Sequence, residues 1–109
     1  MLRPNQQSEV AVIVPNWNGA RLLPACLSAL GAQTYRDFTV WLVDNGSIDG
    51  SHALLDDLDR VSQPDWLFSP LPNRVCIIRN PDNAGFAEAN NQAIRETVET
   101  ARFIVTLNN

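Results

Sequence analysis

Residues 40–51 read VWLVDNGSIDGS. Four apolar residues, Val40 to Val43, give way at once to Asp44, Asn45 and Gly46. A run without polar alternation suits a strand covered on both faces, as the strands of parallel sheets are. Its abrupt end predicts a strand that surfaces at the edge of a sheet and delivers the Asp44 carboxylate to solvent or to a ligand.

The same pattern recurs on either side. Val10–Pro15 (VAVIVP) is a β-branched run closed by Pro15, and Asn16-Trp17-Asn18-Gly19 follows as a turn. Within Ala20–Ala32, Leu22, Leu23, Cys26, Leu27 and Leu30 form one apolar stripe at helical spacing. Pro24 fits only in a first turn, so this helix should begin near Arg21 and end near Gly31. Phe38–Asp44 is the second strand. Asp49–Val61 reads as a helix capped by Asp49 or Ser51, with Asp56, Asp57 and Asp59 on its solvated side. Residues 62–73, holding Pro64, Pro70 and Pro72, read as a loop in which Trp66, Leu67 and Phe68 tuck against the domain. Arg74–Arg79 is a third strand, Asn80–Gly85 a turn, Phe86–Ala101 a third helix and Phe103–Leu107 a fourth strand. The order β-α-β-α-β-α-β predicts a Rossmann-like α/β domain, a parallel sheet with helices on both faces.

At 109 residues the chain holds one domain, residues 10–109, behind a flexible lead-in at residues 1–9. A net charge of −4 argues against a nucleic-acid surface. No apolar run approaches the ~18 residues of a membrane span, and the polar N-terminus is no secretory signal. Cys26 and Cys76, fifty residues apart, match no metal spacing and read as reduced core thiols of a cytosolic protein.

In sheets of this kind, ligands bind at the carboxyl ends of the strands. There the sequence places Asn16-Trp17-Asn18, Asp44-Asn45, Asn80–Gly85 and Asn108-Asn109. N-W-N-G is not a glycine-rich dinucleotide loop, and the phosphate-binding G-x-x-x-x-G-K-[ST] loop is absent. His52, the one histidine, adjoins Ser51 and reads as a surface residue, so a nucleophilic triad is unsupported. What remains suits base and ribose recognition. Asp44 can accept from a ring N–H, Trp17 offers a flat face, and Gly85 lets backbone approach an anion. Competing structural roles stand beside these: a turn for Asn18, a helix cap for Asp49, an Asx-type turn for Asn83, and packing for Trp41 and Trp66.

Taken together, VAVIVPNWN, the helix pattern L-x-x-C-L-x-A-L-x-x-Q-T-Y, VDNGSIDGS, RNPDNAGFAEANNQAI and LNN resemble the N-terminal half of family 2 glycosyltransferases, nearest in flavour to the rhamnosyltransferase-like group. The resemblance spans Val10 to Asn109. It implies a GT-A fold and an inverting transfer of a sugar from a UDP- or dTDP-linked donor to a glycan or lipid-linked acceptor. By match of motif, Pro15 and Trp17 line the nucleoside pocket and Asp44 reads the base. Asn83, Gly85 and Phe86 flank the ribose and diphosphate, and Asn91 is a polar position on the following helix. Asn108 takes the first place of the D-x-D-like motif as an amide. The acid holding a divalent metal (Mg²⁺ or Mn²⁺) is expected just beyond Asn109, with the catalytic base and acceptor site further on. These residues alone therefore complete no metal site and contain no catalytic group. The chain should behave as a C-terminally truncated donor-binding part: inactive alone, weak for nucleotide, and inclined to self-associate through an exposed face. The location implied is cytoplasmic, at most peripheral at the inner face of the membrane. Two other classes stay open: a non-catalytic Rossmann-like binding or interaction module, and a nucleotidyltransferase with a similar sheet.

Overall fold

The structure is a computed structural model and describes residues 8–109. The elements run β1 (Val10–Asn16), α1 (Leu23–Gly31), β2 (Phe38–Asn45), α2 (Ser51–Arg60), β3 (Cys76–Asn80), α3 (Phe86–Thr97) and β4 (Phe103–Thr106). All strand pairs are parallel, and the sheet order is β3-β2-β1-β4. The predicted α/β class and the order of elements are those found.

The two faces of the sheet are filled by different helices. Val12, Val14, Val40 and Leu42 point to one face, where Leu23 and Leu27 of α1, Leu55 and Leu58 of α2, and Leu67 of the loop close a core. Ala11, Ile13, Trp41 and Val43 point to the other, against Ala89 and Ala93 of α3. Right-handed crossovers account for this division. The chain steps outward from β1 to β2 to β3, so α1 and α2 share a face. It then returns past β1 to β4, and the reversed step puts α3 on the opposite face. The reversal creates a crevice at the carboxyl ends of β1 and β4, a topological switch point.

Local differences from the sequence reading have clear causes. Pro24 does sit in the first turn of α1, which starts at Leu23. The α2 helix begins at Ser51, since Gly50 holds φ 99°, a left-handed conformation outside the helix. The α3 helix stops at Thr97, whose hydroxyl turns back onto the Ala93 carbonyl, and a turn leads into β4. In the loop, Leu67 is buried as expected, but Phe68 is 80% exposed because the core wall is already closed by Leu67. Cys26 and Cys76 are both half-buried thiols, and burial raises the Cys26 thiol pKa. Of the lead-in expected at residues 1–9, residues 1–7 lie outside the described residues. Ser8 and Glu9 are not loose: Ser8 Oγ lies 2.6 Å from Thr39 Oγ1, and the Glu9 carbonyl accepts from the N–H groups of Arg102 and Phe103.

Candidate functional site

A cleft of about 300 Å³ opens at the switch point, lined by Pro15, Asn16, Trp17, Asn45, Asn83, Phe86, Asn108 and Asn109. Each strand end delivers part of it. β1 brings Pro15 to Trp17, β2 brings Asn45, the β3–α3 loop brings Asn83, and the residues after β4 bring Asn108 and Asn109. Trp17 and Phe86 are the apolar walls, 57% and 55% exposed. Large rings left this open suit a flat partner that stacks on them. The polar lining consists of amides, which both donate and accept.

Behind this cleft lies a buried network. Asp44 is fully buried. Its Oδ1 accepts from Asn16 Nδ2 at 2.9 Å and from Ser47 Oγ at 2.7 Å, and its Oδ2 accepts from the Ser47 N–H at 3.0 Å. Asn16 Nδ2 also lies 3.1 Å from Ser51 Oγ, and Asn109 Nδ2 donates to Asn16 Oδ1 at 2.7 Å. Gly19 leaves room for that last pair: a Cβ there would stand 2.4 Å from Asn16 Oδ1 and 2.6 Å from Asn109 Nδ2.

A second set of amides frames the opposite wall. Asn45 Nδ2 donates to the Gly85 carbonyl at 3.2 Å, and Asn45 Oδ1 accepts from Asn80 Nδ2 at 2.9 Å. Asn80 and Gln92 exchange two bonds at 2.7 and 2.8 Å. Asn83 Oδ1 accepts the Gly85 N–H at 2.8 Å, an Asx-type turn. Gly85 itself takes φ 90°, which a side chain would strain, with open space around it.

Of the predicted site residues, Pro15, Trp17, Asn83, Phe86 and Asn108 therefore converge on one cleft. Two do not line it. Asp44 was expected to meet solvent or ligand, but the strand runs one residue further, through Asn45, before it surfaces. Side chains alternate along a strand, so Asp44 turns inward, and Asn45 takes the wall. Gly85 acts through its backbone shape, and its N–H is committed to Asn83 rather than open to an anion. Asn91 lies exposed on α3, away from the cleft lining. Asn16, Asn45 and Asn109, which the sequence places at the ligand edge without an individual role, also line the cleft. The available signal was a recurring amide after each strand.

His52 is another departure. Read as a free surface residue, it places Nε2 3.6 Å from Asp44 Oδ2 while Arg79 Nη1 lies 3.1 Å from its Nδ1. Arg79 also pairs with Asp56 and Asp59, so that side of α2 is bridged to β3 and not simply solvated. Asp57 accepts from the Trp66 indole at 3.0 Å and pairs with Arg60, and these bonds lower its pKa. Asp49 accepts from Ser51 Oγ at 2.7 Å, from the Ser51 N–H, and from the Ala20 N–H at 2.9 Å. Those donors, the Ser51 hydroxyl first, hold its carboxyl below the usual range.

The described residues contain no cluster of three or more His, Cys, Asp or Glu side chains able to hold a metal ion. Hard divalent cations favour carboxylate oxygens, and the cleft lining is amide and apolar, so the residues present do not fit one. No helix among the described residues is long and apolar enough to cross a membrane.

An open parallel sheet with a ligand-sized cleft at its switch point defines a Rossmann-like binding domain. Comparison with known proteins narrows the class. Residues 11–109 match the model of glycosyl transferase family 2, and the chain belongs to that family. It is 31% identical over 85 residues to glycosyltransferase GlyG of Streptococcus pneumoniae, covering 78% of this chain and 25% of that protein. It is 33% identical over 84 residues to a PGL/p-HBAD biosynthesis glycosyltransferase of Mycobacterium bovis, covering 77% of this chain and 29% of that protein. An uncharacterized glycosyltransferase of Nostoc, alr2836, is 31% identical over 86 residues, 79% of this chain and 26% of that protein. The chain thus spans about a quarter of the length of these relatives.

Proposed function

We propose that this chain is the donor-binding part of an inverting glycosyltransferase, and that the cleft takes the nucleoside of a UDP- or dTDP-linked sugar. The observation that carries the reading is the convergence of all four strand ends on one cleft walled by Trp17 and Phe86 and edged by amides. An aromatic face supports a base without demanding its identity, and stacking of this kind is worth about 1–3 kcal/mol per base. Amides at the rim match the mixed donors and acceptors of a pyrimidine edge and a ribose.

The wider reading rests on family membership. The sugar is a hexose or rhamnose, the acceptor a glycan or a lipid-linked glycan, and the setting cell-wall or polysaccharide synthesis. The protein works in the cytoplasm, peripheral to the inner face of the membrane. In this reading the whole enzyme uses a divalent metal, Mg²⁺ or Mn²⁺. The described residues offer it no carboxylate cluster. These 109 residues alone transfer no sugar. Self-association through the exposed β4 side is part of the same reading.

Calorimetric titration of the chain with UDP and with dTDP tests the proposal. The expected result is weak, saturable binding that falls about tenfold in Trp17→Ala, as loss of one stacking face predicts. Absence of saturable binding for both nucleotides overturns it, as does an unchanged affinity in Trp17→Ala.

A further inference from the structure

Among the described residues, Asp44 is the one fully buried carboxylate, and it lies beneath the cleft without lining it. We infer that Asp44 is a positioning residue, which sets the polarity of Asn109 through Asn16. The inference rests on the nucleotide reading of the cleft and deepens it.

The chemistry is that of a donor–acceptor relay. An ionised carboxylate only accepts, so it orients any amide beside it. Asn16 must turn its NH₂ toward Asp44 Oδ1, and the 2.9 Å contact is that bond. Ser47 Oγ at 3.2 Å and Ser51 Oγ at 3.1 Å flank the same NH₂. With its nitrogen fixed inward, Asn16 can present only its Oδ1 outward. Asn109 answers with Nδ2 at 2.7 Å. One end of the Asn109 amide is then used, and its Oδ1 is the end left for the cleft. The relay thus makes the rim an acceptor, suited to a ligand N–H or O–H such as a ring imide or a ribose hydroxyl.

Two further observations support it. Asn16 is 1% exposed, so no solvent competes for its orientation. Gly19 keeps clear the space in which Asn16 and Asn109 meet, where any Cβ would collide with both.

The test is a double-mutant cycle on the 109-residue chain, titrated with UDP and followed by NMR of the Asn109 side-chain amide. Asp44→Asn supplies a donor to Asn16 and lets its amide invert. We expect Asp44→Asn and Asn109→Ala each to weaken UDP about tenfold, the loss of one well-formed hydrogen bond. Asp44→Asn in an Asn109→Ala background should then weaken it less than about twofold, since coupled residues are not additive. The exchange Asn16→Asp with Asp44→Asn keeps every donor facing an acceptor along the relay. It should restore affinity and return the Asn109 amide signal to its wild-type position. Additive losses, or an Asn109 signal unmoved by Asp44→Asn, overturn the inference. If Asp44→Asn does not fold, the exchanged pair decides: wild-type affinity and signal support the relay, and their loss overturns it. If wild type binds no nucleotide, the nucleotide reading fails, and the relay stands or falls on the amide signal.

Discussion

Strands β2 and β4 look alike as sequence, FTVWLVDN and FIVT followed by LNN, but they live in different surroundings. All eight residues of β2 are buried. In β4, Phe103 and Val105 are about half exposed, at 54% and 46%. The cause is position in the sheet. β2 lies between β1 and β3, with helices on both faces, while β4 pairs only with β1. The same difference carries to the strand ends. The last residue but one of β2 is a carboxylate locked by Asn16 and Ser47, whereas Asn108, two residues past β4, is exposed on the cleft wall. A saturated, buried polar group frames a site, and an open one is left to read a ligand.

The sharpest way to break this comparison is to truncate both strands. Leu42→Ala, at a fully buried position of β2, should lose about 2–5 kcal/mol through lost transfer energy and the cavity left behind. Val105→Thr on β4 should stay within about 0.5 kcal/mol. Urea denaturation of both variants measures the gap, and equal losses would mean that β4 is as enclosed as β2.

A smaller effect probes how the start of β2 is held. Asn73 Nδ2 donates to the Phe38 carbonyl at 2.8 Å and lies 3.0 Å from Ser8 Oγ. Asn73→Ala should lower stability by about 1–2 kcal/mol, as a part-buried carbonyl loses its donor. A change below the error of the melt would show that water replaces that bond.

The smallest effect lies at the exposed turn after β2. The folded state holds the Asp49 carboxyl below its ordinary value, through Ser51 and Ala20. Its contribution is therefore present above the unfolded pKa, about 3.9, and is lost as pH falls through the lower folded value. Stability of wild type should drop on acidification below about pH 4, and Asp49→Asn should flatten part of that drop. Thermal melts from pH 6 to pH 2.5 read the slope. A variant with the wild-type slope would remove Asp49 from the acid response.

Much of this was legible in the chain. Apolar runs separated by leucine stripes gave the α/β order, because burial on two faces erases polar alternation and burial on one face leaves a helical stripe. Pro24 and Gly31 bounded α1 as local geometry requires. That Trp17, Asn83, Phe86 and Asn108 share one edge was readable because each follows a strand, and strand ends in parallel sheets face one edge. Less legible was anything that depends on a single step of side-chain alternation. Asp44 and Asn45 are neighbours, but one faces the core network and the other the cleft, and the sequence does not state where the strand ends. The Asn16–Asn109 contact joins residues 93 positions apart, and His52 meets Asp44 only because α2 folds back over β2.

By itself, then, the sequence determined the class of fold, the family and the edge at which the polar and aromatic strand-end residues gather, since these follow from periodicity, turn chemistry and motif order. Tertiary structure alone decided which residues at that edge are framework and which are open. That choice turns on pairing partners and burial: a carboxylate held by Asn16 of the neighbouring strand and by the N–H and hydroxyl of Ser47 becomes an internal anchor, and an amide beyond the end of an edge strand stays available to a ligand.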